Sequence, residues 1–166
     1  MACGCSIASS RIISRADDQP MQVDFYHLTA TPLDRALPQI AEKVLASGGR
    51  MLVVADSEQQ RAAIDKLLWM YAPESFLPHG CTGDGNEADQ PVLISPMPQP
   101  TNEARNVALV DGMWREEALG FDRAFHFFDE DHIAGARAAW KALADRDGIE
   151  RRYWKQNDAG RWEQAA

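Results

Sequence analysis

The stretch "RMLVVADSEQQRAAIDKLLWMYA" (residues 50–72) holds two elements of different kinds in direct succession. Its opening residues are almost continuously apolar, which is typical of a strand buried on both faces of a sheet. Ser57 then stands where a helix N-cap is expected, and Glu58, Asp65 and Lys66 fall on the polar side of the following helix. A fully buried strand that leads straight into an amphipathic helix indicates an α/β protein.

The same pairing occurs earlier in the chain. "VDFYHLT" (23–29) is a β-branched and aromatic run that predicts a strand. "LDRALPQIAEKVLASGG" (33–49) predicts a helix that ends at its glycines, because its apolar residues recur at helical spacing: Leu33, Leu37, Ile40, Val44 and Leu45. Pro38 lies near the start of this segment, where a helix either tolerates proline or begins after it. The first half of the chain therefore reads β-α-β-α.

The second half repeats this order less regularly. Short apolar runs at 91–96, 106–112 and 121–129 predict three more strands, and residues 130–148 predict a helix. About five strands with helices between them favour a three-layer, Rossmann-like open sheet, mostly parallel, with helices on both faces. We expect one such domain over residues 21–166. Residues 1–20 are polar, without a sustained apolar block, and predict a disordered leader or extension rather than a signal peptide.

Composition limits the classes of function. The chain has 166 residues, of which 45% are apolar, enough for one domain with a proper core. Seventeen basic and 25 acidic residues give a net charge of −8, which disfavours direct nucleic-acid binding unless the cations gather on one face. No apolar run approaches the roughly 18 residues of a membrane span. Three cysteines without a disulfide framework fit a reducing cytoplasm, and we predict that location.

The sequence carries no recognisable catalytic, cofactor or metal site. The turn "TATPLD" (29–34) lacks the glycines of a dinucleotide-binding loop, and no Walker A motif occurs. Cys3 and Cys5 have no second pair at zinc-finger spacing. His79 and Cys81 would point to opposite sides of an extended chain, so a thiolate–imidazole pair is disfavoured. We therefore predict no catalytic residue, no cofactor and no metal.

Two unusual clusters remain. Trp69 and Tyr71 end the second helix, and Phe76 and Leu77 follow closely, a concentration of apolar residues that favours an interface. The other cluster is basic: residues 137–161 hold seven cations and four acids, a net charge of +3 against −11 for the remainder. Positive charge is thus segregated toward the C-terminal part of the chain.

One face of the last predicted helix combines an aromatic ring with two cations. Arg137, Trp140 and Lys141 are related by three and four positions, so their side chains share a face. Such a face suits a ligand that is both apolar and anionic, for example a peptide end with its carboxylate. In the alternative interpretation, the tryptophan packs into the core while Arg137 and Lys141 reach outward to water. The pattern alone leaves both interpretations open.

Four segments carry a resemblance to a known family. They are "LLWMYAPESFLPHG" (67–80), "PVLIS" (91–95), "ARAAWKALADRDG" (136–148) and "YWKQNDAGRW" (153–162). In kind, order and spacing they resemble the chi subunits of bacterial DNA polymerase III holoenzymes, which are accessory proteins of the clamp loader. The resemblance runs from about residue 21 to residue 162. The segment "GCTGDGNEADQ" (80–90) departs from the family pattern.

The resemblance implies a noncatalytic adaptor that is monomeric alone, forms a heterodimer with the psi subunit, and meets nucleic acid only indirectly. Psi would bind the region that matches Trp69, Phe76, Leu77, Pro78 and His79. The second implied partner is the acidic C-terminal tail of the single-stranded-DNA-binding protein, which ends in a phenylalanine with a free carboxylate. The matching positions are Arg137, Trp140 and Lys141, with His126, Phe127 and Phe128 as the expected pocket wall.

Two other classes of function stay open at this point. The chain could bind single-stranded DNA directly, with Trp140, Trp154 and Trp162 as stacking platforms beside the C-terminal cations. It could also be a small nucleotide-dependent enzyme on a Rossmann-like sheet. Binding to a bare oligonucleotide would identify the first class, and a bound cofactor would identify the second.

Overall fold

The computed structural model describes residues 20–29, 32–71 and 77–165, which form one sheet and three α-helices. The strands are β1 (Met21–His27), β2 (Met51–Val54), β3 (His79–Cys81), β4 (Val92–Ser95), β5 (Asn106–Leu109), β6 (Arg123–Phe128), β7 (Ile149–Gln156) and β8 (Trp162–Gln164). The helices are α1 (Leu33–Ala46), α2 (Glu58–Met70) and α3 (Ile133–Ala144). Residues 1–19 lie outside the described residues, so the disordered leader stays a prediction.

The eight strands lie in the order β3-β4-β2-β5-β6-β1-β7-β8. Every neighbouring pair is parallel except β7 and β8, which are antiparallel. This arrangement confirms the predicted α/β class with a mostly parallel open sheet. No helix in the described part of the chain is long and apolar enough to cross a membrane.

Within the quoted segment, residues 50–71 fold as their pattern predicts. All four residues of β2 are buried, and the strand pairs on both sides, with β4 and β5. The Ser57 hydroxyl caps α2 by accepting a hydrogen bond from the Gln60 backbone N–H at 3.3 Å.

Pro38 lies inside α1 and is buried, so the helix begins before the proline and tolerates it. Pro38 is the sixth residue of α1, past the four N–H groups that lack intrahelical partners, so it removes the hydrogen bond that an N–H there would donate to the Asp34 carbonyl oxygen.

Helices cover both faces of the sheet. On one side, called the α1–α2 face, Leu37, Ile40, Ile64 and Leu68 pack in one core with alternate strand residues, among them Val53, Ile94 and Phe127. On the other side, called the α3 face, Ala136, Ala139 and Leu143 pack in a second core with strand residues that include Val23, Phe25 and Leu109. The predicted three-layer arrangement is therefore confirmed.

Three strands were not predicted: β3, β7 and β8. Strand β7 reads IERRYWKQ and has no continuous apolar run. Its residues lie near one edge of the sheet and are mostly half-buried, so polar and charged side chains are tolerated there. It nevertheless pairs in parallel with β1 over six residues. Strand β8 then returns antiparallel to β7 through a turn in which the Asn157 carboxamide oxygen accepts from the Ala159 and Arg161 N–H groups. Gly160 supplies the positive φ of +77° that this turn requires.

A buried carboxylate joins three central strands on the α1–α2 face. Asp24 of β1 is fully buried and accepts hydrogen bonds from Arg123 Nε of β6 at 2.7 Å and from Trp154 Nε1 of β7 at 3.0 Å. Gln22 Nε2 donates to both of its oxygens, at 2.9 and 3.2 Å. A buried charge is tolerated only when it is paired and hydrogen-bonded in this way. The network therefore fixes β6, β1 and β7 to one another.

Candidate functional site

The C-terminal end of α2 presents a small apolar surface. Trp69 is 57% exposed and Met70 is 69% exposed, and they are two of the four large hydrophobic residues exposed within the described ranges. The others, Met97 and Met113, lie in separate loops. We call Trp69 and Met70 the α2-end patch; Pro78, which is partly exposed, directly precedes the His79 ring that meets Trp69. Adjacent exposed apolar side chains of this kind mark interaction surfaces more often than isolated ones do.

His79 supports this patch from below. Its side chain is fully buried and the ring lies edge-on to Trp69, with 4.9 Å between ring centroids. Nδ1 lies 2.7 Å from the Leu77 carbonyl oxygen, and Nε2 lies 3.1 Å from the carbonyl oxygen of Asp65 and 3.0 Å from its carboxylate. Both ring nitrogens thus face oxygen acceptors of the protein. His79 therefore links β3 to α2, and Trp69 packs against its ring.

The five residues predicted for this surface fall into different environments. Trp69 is exposed, Pro78 is partly exposed, and Phe76 lies outside the described residues. Leu77 is 3% exposed and belongs to the core of the α1–α2 face, so its prediction as a contact residue is wrong. Met70 was missed, although it follows Trp69 directly and lies off the buried stripe of Ile64 and Leu68.

The thiol of Cys81 does not have the character of a nucleophile. Burial, followed by the nearby carboxylates of Asp65 and Asp84, raises the pKa of Cys81 to about 11. The thiol is therefore protonated at neutral pH, and only the thiolate is strongly nucleophilic. In the described part of the chain, no three His, Cys, Asp or Glu side chains converge as metal ligands.

The second candidate surface lies on α3. Arg137 and Lys141 are exposed and Trp140 is half-buried. The Trp140 ring meets Phe25 and Tyr153 edge-on, at 5.3 and 5.9 Å between centroids, and the Arg151 guanidinium carbon lies 4.2 Å from its centroid. We call these residues the α3 basic patch: Arg137, Trp140, Lys141, Arg151 and Tyr153. The tryptophan is thus anchored at the edge of the α3-face core while the rest of its ring borders the cationic surface.

Arg151 was missed as a member of this patch. It comes from β7, and its guanidinium also donates to the Trp140 carbonyl oxygen at the end of α3. Cation–π contact with the ring holds the guanidinium beside Arg137 and Lys141, which adds a third positive charge to the patch. Because β7 was not predicted as a strand, no sequence signal placed Arg151 next to α3.

Of the three residues expected to form the pocket wall beside Trp140, two face α3 and one faces the opposite side of the sheet. Phe127 faces the α1–α2 core and is 1% exposed, so its prediction as a neighbour of Trp140 is wrong. His126 and Phe128 do face α3, but they are 0% and 2% exposed. Phe128 lies behind Tyr153, at 6.0 Å between ring centroids. These two residues therefore form a layer beneath the α3 basic patch instead of a wall that a ligand could touch.

Trp140, Trp154 and Trp162 do not form a common stacking platform. Trp140 lies on the α3 face, whereas Trp154 and Trp162 pack together on the α1–α2 face against Tyr26. Alternation along β7 explains the separation, because successive residues of a strand point to opposite faces and Tyr153 already faces Trp140. A single strand of DNA could not stack on all three rings at once.

Comparison with known proteins places this architecture in a family. The family model described as DNA polymerase III chi subunit, HolC, matches residues 21–150. DNA polymerase III subunit chi of Escherichia coli K12 is 32% identical over 78 residues, which are 47% of this chain and 52% of that protein. The probable chi subunit of Rickettsia prowazekii is 27% identical over 89 residues, 54% of each chain. The chain spans about half the length of the curated relatives it matches.

Proposed function

Because the chain belongs to the DNA polymerase III chi subunit family, we propose that it is a noncatalytic adaptor of the replisome. One partner is the psi subunit of the clamp loader, and the other is the acidic C-terminal tail of the single-stranded-DNA-binding protein. One observation carries the proposal: an apolar surface and a cationic surface, each exposed, lie on helices of opposite layers. Both partners can therefore be held at once, and the clamp loader is tethered to template that is already coated with protein.

The α2-end patch is the proposed psi-binding surface. Aromatic residues and methionine are enriched at protein interfaces, and Trp69 and Met70 offer both. The Trp69 ring packs against the buried ring of His79. Phe76, which the family resemblance assigns to the same contact, lies a few residues along the chain. The partner is expected to present an apolar segment that covers these side chains and excludes water from them.

We expect Trp69→Ala to weaken binding of the psi subunit by about 2 kcal/mol, roughly thirtyfold, because an exposed tryptophan at the centre of an interface is a typical hot spot. Isothermal titration calorimetry with purified psi measures the change. Met97→Ala is the matched control, since Met97 is also exposed but lies in a distant loop. Equal psi affinity for Trp69→Ala and for the unmodified chain would exclude this surface.

The α3 basic patch is the proposed site for the acidic tail. Arg137, Lys141 and Arg151 supply positive charge, and the edge of Trp140 supplies an apolar contact for the terminal phenylalanine ring. An arginine at this position can hold the free carboxylate through two hydrogen bonds. Because the charged side chains are exposed, the contact is expected to be modest and to weaken with salt. Several tails on one multimeric partner would compensate through multivalent binding.

Arg137→Ala and Lys141→Ala should each weaken binding of a tail peptide about fivefold, which corresponds to about 1 kcal/mol for a partly hydrated charged contact. Fluorescence anisotropy with a labelled peptide measures the effect, and omission of the terminal phenylalanine should weaken binding further. Arg35→Ala on α1 is the matched control for loss of an exposed arginine. The site is elsewhere if the α3 variants bind the peptide as the control does, and psi binding should be unchanged in all three.

A further inference from the structure

A groove with a volume of about 450 Å³ opens on the α1–α2 face, between α1 and the strands β6, β1, β7 and β8. It lies on the opposite side of the sheet from the α3 basic patch, and its lining includes no residue of the α2-end patch. Neither of the two proposed docking surfaces therefore accounts for it. Its volume falls within the range of small-molecule binding sites.

The lining of this groove is cationic in a chain that is acidic as a whole. Three of its side chains, Lys43, Arg123 and Arg152, carry positive charge, and none of the described residues that line it is an aspartate or glutamate. The whole chain has 25 acidic and 17 basic residues, so an acid-free cationic lining contrasts with its average composition. Cations gathered on one face are the condition under which an acidic protein can attract a phosphate.

The three cations differ in how far they are already paired. The Arg123 Nε bonds the buried Asp24, which fixes the guanidinium and leaves its terminal nitrogens for other contacts. Arg152 uses Nε and Nη2 to bond one oxygen of Glu150 at 3.1 and 2.8 Å. Lys43 is exposed in the last turn of α1 and forms no ion pair with any described residue. Lys43 is thus the cation most available to an anion.

Two half-buried indole rings form the aromatic part of the groove. Trp154 lies nearly parallel to Tyr26, with an interplanar angle of 9° and 6.0 Å between centroids. Trp162 stands edge-on to the same tyrosine, at 86° and 5.1 Å. The hydrogen bond from Trp154 Nε1 to Asp24 fixes the first indole before any ligand arrives. A flat ring can stack on one indole while its edge meets the other.

We propose that this groove binds a nucleotide unit. The base stacks against Trp154 and Trp162, and the phosphate lies toward Lys43 and the outer guanidinium nitrogens of Arg123 and Arg152. Base stacking on an aromatic ring beside cations is the chemistry by which proteins hold single strands without reading sequence. The same chemistry would accept a free mononucleotide or one unit of a single strand, and the test distinguishes these sources.

The test titrates the full chain with a labelled short oligothymidylate at low salt and follows fluorescence anisotropy. Trp162→Ala should weaken the complex about tenfold, the size of effect that loss of a stacking ring produces. Lys43→Glu should also weaken it about tenfold, because it places an anion where the phosphate is expected to lie. Lys66→Glu, which reverses an exposed lysine on α2 outside the groove, should change it little. Thymidine 5′-monophosphate added as competitor identifies the source: displacement indicates that one unit suffices, and no displacement indicates that a strand is required.

Absence of saturable binding, or equal weakening by Lys66→Glu, would overturn the proposal. Displacement of the oligothymidylate by a peptide ending in phenylalanine, lost in Lys43→Glu, would also overturn it by making the groove a peptide site. Lys43→Glu keeps the test valid if Trp162→Ala fails to fold, because Lys43 is fully on the surface of α1. Failure here leaves the adaptor function intact, since Trp69, Arg137 and Lys141 lie outside the groove.

Discussion

Asp24→Ala should lower the free energy of unfolding by about 3 kcal/mol, because removal of one partner from a buried ion pair leaves the other uncompensated. The variant deprives Arg123 and the indole N–H of Trp154 of their acceptor and opens a void in the middle of the sheet. The expected value lies at the lower end for such changes because the Arg123 side chain is 38% exposed and can regain water. Urea denaturation at neutral pH measures the difference.

Two further variants serve as comparisons for Asp24→Ala. Asp158→Ala removes a carboxylate from the exposed turn between β7 and β8 and should change stability by less than about 0.5 kcal/mol. Asp24→Asn retains an acceptor for one donor and should fall between Asp24→Ala and the unmodified chain. If Asp24→Ala unfolds at the same urea concentration as Asp158→Ala, the network does not hold β6, β1 and β7 together.

The chain should lose up to about 3 kcal/mol of stability between pH 6.5 and pH 4 through His126 alone. Burial lowers the pKa of His126 from its ordinary 6.5 to about 4, and Arg115 and His132 also lower it while Asp111 raises it. Neither ring nitrogen has a hydrogen-bond partner among the described residues. Since the folded pKa is below the unfolded one, the unfolded chain binds more protons in this interval, and stability falls as the pH falls.

His126→Phe tests this dependence. The variant keeps a flat ring among Phe25, Trp114 and Phe128 and removes a buried polar group, so it should be at least as stable as the unmodified chain at pH 7.5. Its stability should fall less steeply between pH 6.5 and pH 4. Met97→Leu is the control, because Met97 is exposed, lies in a separate loop and does not titrate. Parallel pH curves for His126→Phe and the unmodified chain would contradict the prediction.

The elements that could be predicted from the sequence are those whose hydrophobic pattern reflects how their residues are buried. β2 is apolar throughout because it pairs on both sides, and α2 follows a serine that caps it, so both appear in the pattern of residues 50–72. β7 was missed for the opposite reason. Its half-buried residues alternate between two partly covered faces, and charged and aromatic side chains there hide the strand. Pairing with β1 and β8 defines the strand, and the pairing with β1 joins residues that are far apart in the sequence.

The same distinction applies to the candidate sites: residues with a local sequence signal could be predicted, and residues placed by tertiary contacts could not. Trp69 could be predicted as a surface residue from its place at the end of a helix, and Arg137 and Lys141 from their spacing on another. Phe127 lies on the opposite side of the sheet from its predicted place, because alternation along β6 separates it from His126 and Phe128. Arg151 could not be predicted, since its contact with Trp140 requires β7 to lie beside α3.

Because β1 lies between β6 and β7, it cannot pair with its neighbours in the sheet until late in synthesis. Asp24 is separated by 99 residues from Arg123 and by 130 from Trp154, so a nascent chain carries β1 unpaired until much of the rest has left the ribosome. Pairing across such separations is slow, and an apolar segment left open during that time is prone to self-association. The apolar side chains of β1 therefore stay uncovered by their partner strands while most of the chain is made.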